Sequence, residues 1–256
     1  MTVNIGSAHI DEHGNAKGGK AGNQSGNELG VQKWYKHQKG WVVLRPKDPY
    51  KGKEIAYDMQ AACKNKHIGY DQGQRLTLYN AAKPYGFDCA KVTQDVETDC
   101  SALVRVCLAY AGIMVSNFTT ANEASVLLGS GYFKRLSGDQ YETRPDYLRA
   151  GDVLVTKTQG HTVVVLNDGA LAGAEEPDDA APANPTQPDG SVRVSTSGSY
   201  WLRDKPSVLG KRICVVPDNT AVRVYGQTEN GWYGVKILST GEKGYISGKA
   251  LPTLRR

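Results

Sequence analysis

With 256 residues, 39% of them apolar and 22% charged, and a mean hydropathy of −0.47, the chain has material for one large or two modest globular domains, without membrane insertion. Its net charge of +5 is unevenly spread: residues 1–170 carry 20 basic against 17 acidic side chains, 171–190 none against 5, and 191–256 carry 11 against 4. The basic last stretch suits a polyanionic partner such as a cell wall, and no motif favours nucleic acid. Five cysteines, at 63, 89, 100, 107 and 214, form an odd set without repeating spacing, which speaks against a disulfide framework. Cys100 and Cys107, if helical, stand roughly 10 Å apart, beyond disulfide reach. The opening M-T-V-N-I-G has no basic segment followed by an apolar one, so no secretory signal is expected, and a target outside the cell demands another exit route.

In chain order, residues 5–28 hold I-G-S-A-H-I-D-E-H-G and G-G-K-A-G-N-Q-S-G-N-E, a glycine-rich stretch. Trp34, Tyr35 and Trp41 would serve equally as a sugar-binding groove or as core. Residues 41–48, W-V-V-L-R-P-K-D, read as a strand. Residues 53–66 read as an amphipathic helix with Ile55, Ala56, Met59, Ala62 and Cys63 inward. The pairs His9/His13 and Cys63/His67 lack zinc-finger spacing, so no metal is expected.

Residues 97–112, E-T-D-C-S-A-L-V-R-V-C-L-A-Y-A-G, place Leu103, Val106, Cys107 and Tyr110 at helical spacing, with Thr98 or Asp99 as N-cap and Gly112 as the stop. Cys100 then sits in the first turn, where free N–H groups and the helix dipole favour thiolate and can hold an oxyanion. Residues 148–155, L-R-A-G-D-V-L-V, read as a turn and strand. After the loop Thr158-Gln159-Gly160 comes a second strand, His161–Leu166, apolar enough to be buried on both faces. A cysteine at a helix start facing a histidine at a strand edge is what nucleophilic acyl transfer requires.

The order D-C-S-x-L-V, L-x-x-G-D-V-L-V, G-H-T-V-V-V over 99–168 resembles the NlpC-type branch of papain-like cysteine peptidases, and CHAP amidases carry similar local motifs. The resemblance implies an α+β papain-like (NlpC-type) catalytic domain, with Cys100 as nucleophile and His161 as base and then acid. It also implies that Asp99 and Ser101 help hold a peptidoglycan stem peptide, and Tyr70 resembles the family's upstream tyrosine. No cofactor is implied. Family members place a polar third residue on the strand after the histidine strand, but here Asn167-Asp168-Gly169 turns and no such residue follows. The N-terminal region, with I-G-Y-D-Q-G-Q-R-L-T-L-Y at 68–79, looks like lysin-type proteins of phages of gut Gram-positive bacteria. It is therefore expected to supply the missing strand, and Asn23, or failing that Gln24 or Glu28, to fix the His161 tautomer.

Residues 170–190, ALAGAEEPDDAAPANPTQPDG, with four prolines and five acids, read as a linker between domains at 1–169 and 191–256. Short strands are expected at Val192–Thr196, Tyr200–Arg203, Ala221–Gln227, Trp232–Ile237 and Gly244–Ile246, a small all-β barrel. W-L-R-D-K-P-S, A-V-R-V-Y-G, N-G-W-Y-G-V-K and G-Y-I-S-G-K-A-L resemble the bacterial SH3-like domain, which implies binding of a cell-wall polymer. The combined expectation is an endolysin-like hydrolase that cuts a stem-peptide amide through a thioester and reaches the wall by holin-type release. Its rivals are a non-catalytic wall-binding protein and a papain-like acyltransferase or deamidase.

Overall fold

A computed structural model describes residues 2–172, 192–251 and 254, so most of the expected linker lies outside the described residues. The chain divides into two compact units, Met1–Glu175 and Glu176–Arg256.

The first unit runs β1 (Asn4–Ala8), β2 (Leu29–Lys33), β3 (Trp41–Pro46), α1 (Pro49–Lys64), β4 (Ile68–Tyr70), α2 (Thr77–Ala82), β5 (Val96–Thr98), α3 (Cys100–Tyr110), α4 (Glu123–Gly129), β6 (Phe133–Leu136), α5 (Asp139–Glu142), β7 (Val153–Thr156) and β8 (Thr162–Val165). The main sheet has the order β2-β1-β8-β7-β3-β6 and is antiparallel throughout. β4 and β5 form a separate parallel pair.

Alternation along β8 explains its unbroken apolar character. Val164 packs with Ile55 and Met59 of α1 and Leu103 of α3, while Val163 and Val165 face a second cluster around Trp41 and Leu148. Both faces are thus buried, and the one polar side chain of β8, Thr162, has its hydroxyl hydrogen-bonded to Glu123. α1 begins earlier than its periodicity predicts, because Asp48 caps it by accepting the Tyr50 N–H and Pro49 suits the first turn. Of its predicted inward residues only Cys63 is half-buried rather than buried.

The turn before β7 is set by close packing. Gly151 has φ +90°, and a Cβ there would stand 2.2 Å from the Gly52 carbonyl oxygen of α1. Asp152 follows, buried and bidentate to buried Arg45 at 2.9 and 2.7 Å, and its second oxygen also accepts the Arg149 N–H. The Gly-Asp pair of that motif therefore anchors β7 rather than touching the histidine edge.

The second unit runs β9 (Val192–Ser195), β10 (Tyr200–Arg203), β11 (Arg212–Val216), β12 (Ala221–Gln227), β13 (Trp232–Ile237) and β14 (Lys243–Ser247). Its antiparallel sheet has the order β11-β10-β14-β13-β12-β9, around Leu202, Val222, Val224, Tyr233, Val235 and Ile246. β11 is absent from the sequence expectation. It is an edge strand whose Ile213 and Val215 face outward, 41% and 45% exposed, so its pattern does not show an inward apolar face. Among the described residues no helix is long and apolar enough to cross a membrane.

Candidate active site

Asp99 caps α3 by accepting the Ala102 N–H at 2.7 Å, which leaves Cys100 as the first helical residue. Backbone N–H groups of Thr162 and Ser101 approach the sulfur and favour its anion. Burial opposes them most, followed by the charges of Asp99 and Glu123, and the thiol is pushed up to about 12. The helix-start N–H groups act in the expected direction, and burial outweighs them, since Cys100 is 6% exposed.

His161 immediately precedes β8, and its neighbour Thr162 carries the N–H that meets the Cys100 sulfur. Burial, then His9, then His37 push the imidazole down to about 4. Both directions favour the neutral form, thiol for Cys100 and imidazole for His161. Thr162 Oγ donates to Glu123 Oε1 at 2.9 Å, while Glu123 Oε2 has no partner among the described residues. Burial raises this carboxyl to about 8, against the Thr162 hydrogen bond and with a further contribution from Asp99.

The strand beside β8 is β1, so the N-terminal region does border the histidine strand. Its register pairs Ile5 with Val165 and Gly6 with Val164. Continued by three residues, that register sets His9 opposite His161, and the two rings stack with centroids 6.2 Å apart and planes at 29°. His9 is held by Ser7 Oγ, 3.4 Å from Nδ1, and by the Gly30 backbone; burial lowers its pKa more than that backbone bond raises it.

Asn23 does not occupy this place. Its N–H donates to Lys66 O at 2.9 Å and its Oδ1 accepts the Glu28 N–H at 3.3 Å. Gln24 Nε2 donates to Ala21 O at 2.7 Å, and Glu28 accepts the N–H groups of Gln24, Ser25 and Tyr70. All three candidates are bound into backbone near β4. The contacts of Asn23 thus lie with Lys66 and Glu28, and the residue that strand register sets against His161 is His9.

Asp99, Ser101 and Tyr70 gather beside Cys100. Arg75, to which the motif reading assigned no role, organises two of them: its guanidinium bonds both Asp99 oxygens, Ser101 Oγ at 2.8 Å and Phe118 O at 2.8 Å. Ser101 Oγ donates to Asp99 Oδ1 at 2.9 Å. The Tyr70 hydroxyl accepts from Gln72 Nε2 at 3.1 Å and is pushed up to about 12, mainly by burial, with Cys100 and Asp99 among the smaller causes. No distinctive spacing marks Arg75, His9 or Glu123, because each reaches the site from a different segment.

Trp41 is fully buried, and Trp34 and Tyr35 pack against the same cluster, so they serve the core rather than an open groove. Cys63 Sγ lies 3.4 Å from Gly30 O, while His67 pairs with Asp95 at 2.8 Å, and these two residues do not converge.

Residues 5–172 match the family model described as Endolysin-like domain, and residues 202–252 match the one described as Bacterial SH3 domain. The solved structure of NlpC1 from Trichomonas vaginalis is similar at 16% identity and a TM-score of 0.22, over 40% of this chain and 26% of that one. This chain thus spans about a quarter of that protein's length. No curated protein matches.

Proposed function

This chain belongs to the endolysin-like domain family, whose model spans residues 5–172, and from that premise we propose that it hydrolyses an amide bond of the peptidoglycan stem peptide by cysteine catalysis. The observation that carries the reading is the meeting of the α3 start with the β8 edge, where the Thr162 N–H contacts the Cys100 sulfur beside His161. Cys100 yields its proton to His161 as sulfur attacks the carbonyl carbon. N–H groups at the start of α3 receive the oxyanion, and His161 returns the proton to the departing amine. Water, deprotonated by His161, then cleaves the thioester and regenerates the thiol.

Because both resting groups are neutral, the proton moves only as the carbon–sulfur bond forms. His9, stacked on His161, acts as a positioning residue for the imidazole. Arg75 holds Asp99 and Ser101 rigid, so that they present a fixed polar surface to the stem peptide. The 202–252 domain retains the enzyme on the wall polymer, and pore-mediated release brings it there. Loss of turbidity of Gram-positive walls tests the reading. Wild-type protein clears them and releases muropeptides with a new amine terminus by mass spectrometry; a Cys100→Ser protein that clears them equally well overturns the mechanism.

A further inference from the structure

Glu123 is wholly buried, and no step of the reaction above uses it. It opens α4, at the end of a stretch, residues 117–123, that reaches both sides of the site. At the near end, Asn117 Oδ1 and Phe118 O accept from Arg75, the residue that holds Asp99 and Ser101. Phe118 is itself buried in the main core. Thr119 then closes the turn into α4: its N–H donates to Asn122 Oδ1 at 2.9 Å, and its carbonyl accepts the Glu123 N–H at 2.9 Å. At the far end, Thr120 Oγ1 accepts the Gly160 N–H at 3.0 Å, and Glu123 Oε1 accepts the Thr162 hydroxyl at 2.9 Å. His161 stands between those two attachment points, so the residues on either side of it are tied to one stretch.

The two ties are unequal. Gly160 is exposed and Thr120 half-buried, so water can replace that bond. Glu123 and Thr162 are both 0% exposed, and water cannot replace theirs. Thr162 is also the residue whose N–H meets the Cys100 sulfur. A threonine is stiff about χ1, so fixing its hydroxyl also fixes where its backbone lies. Burial first, then Asp99, push the Glu123 carboxyl up to about 8, against the Thr162 bond, so that it keeps its proton at neutral pH. It is then a neutral hydrogen-bond acceptor, and glutamine is its nearest replacement.

We propose that Glu123 is a positioning residue: through the Thr162 hydroxyl it holds the Thr162 N–H against the Cys100 sulfur and keeps His161 in register with the start of α3. This role rests on the cysteine chemistry proposed above. It also gives the 117–123 stretch a task, that of joining the Arg75 cluster to the histidine edge.

Two measurements on the full chain test it. In amide-resolved hydrogen exchange without substrate, Glu123→Leu is expected to lower protection of the Thr162 N–H about tenfold, and Glu123→Gln to restore most of it. On solubilised peptidoglycan fragments, Glu123→Leu is expected to lower kcat about 10- to 100-fold with KM little changed, and Glu123→Gln to recover most of that loss. Thr162→Val keeps the shape of the side chain without the hydroxyl and is expected to lose as much, with the double variant no worse than either single one. Unchanged Thr162 protection in Glu123→Leu overturns the proposal, as do equal losses in the Leu and Gln variants or additive losses in the double variant. Thr162→Val leaves Glu123 in place and so keeps the test open should Glu123→Leu fail to fold. Exchange is read without turnover, so the two readings fail differently: a Cys100→Ser chain as active as wild type ends the cysteine chemistry, and unchanged Thr162 protection ends the positioning role.

Discussion

Asp99 and Glu97 are close neighbours in sequence, yet the structure treats their carboxylates in opposite ways. Asp99 receives both arms of Arg75, the Ser101 hydroxyl and the Ala102 N–H. Glu97 receives nothing from the described residues, and four other acids bear on it. The first arrangement is preorganised: its charge is neutralised within the protein and its geometry is locked by several hydrogen bonds. The second stores repulsion that only a proton or a cation relieves. Within one short segment, the fold has built a rigid, charge-compensated corner and an electrostatically unfinished one.

The comparison can be broken first at the chemistry. Cys100→Ser is expected to lower wall-lysis rates by about 10³-fold or more while leaving the midpoint of unfolding nearly unchanged. A preserved rate would detach the rigid corner from catalysis. His9→Ala is expected to reduce kcat/KM by about 10²-fold, with His9→Asn recovering part of it through the hydrogen bonds a planar amide can make. A purely structural His9 would change stability and leave the pH profile of kcat/KM untouched.

The two carboxylates can then be set against each other directly. Arg75→Ala strands Asp99 and is expected to cost about 3 kcal/mol in urea unfolding. Glu97→Gln at about pH 9, above the raised Glu97 value, is expected to move the midpoint upward, since it removes charge that no described residue balances. Destabilisation by both would make the two corners equivalent.

The remaining tests lie in pH. Glu97 and Glu123 have folded pKa values raised to about 8, so the folded chain holds protons that the unfolded chain has already released. Stability therefore declines as pH rises from the ordinary carboxylate range toward 8, and Glu97→Gln flattens that limb. His161, depressed to about 4, works in the other direction: below the ordinary histidine value the unfolded chain takes up the proton first, so stability falls from there down to 4. For activity, a base near 4 and a thiol near 12 predict a kcat/KM profile flat between about pH 5 and pH 9. A conventional acid limb near the ordinary histidine value would show that substrate-free burial does not set the working pKa.

Much of the fold was legible because the relevant signals are local. The α3 residues carry their own period, cap and stop within 97–112, so Cys100 is placed at a helix start by sequence alone. The unbroken apolar run after His161 predicts a strand buried on both faces, and β8 is one. In the second unit five strands follow from turn chemistry and alternation, whereas β11 is concealed because its Ile213 and Val215 face outward. Tertiary structure alone decided what surrounds Cys100 and His161. Register across β1 and β8 brings His9 to His161, from 152 positions away in the chain, while Asn23 is drawn off toward Lys66. Arg75 and Glu123 converge from separate segments, and the expected thiolate gives way to a buried thiol. Period and capping are encoded within a few residues, but solvation and charge at a site are sums over every segment that packs there.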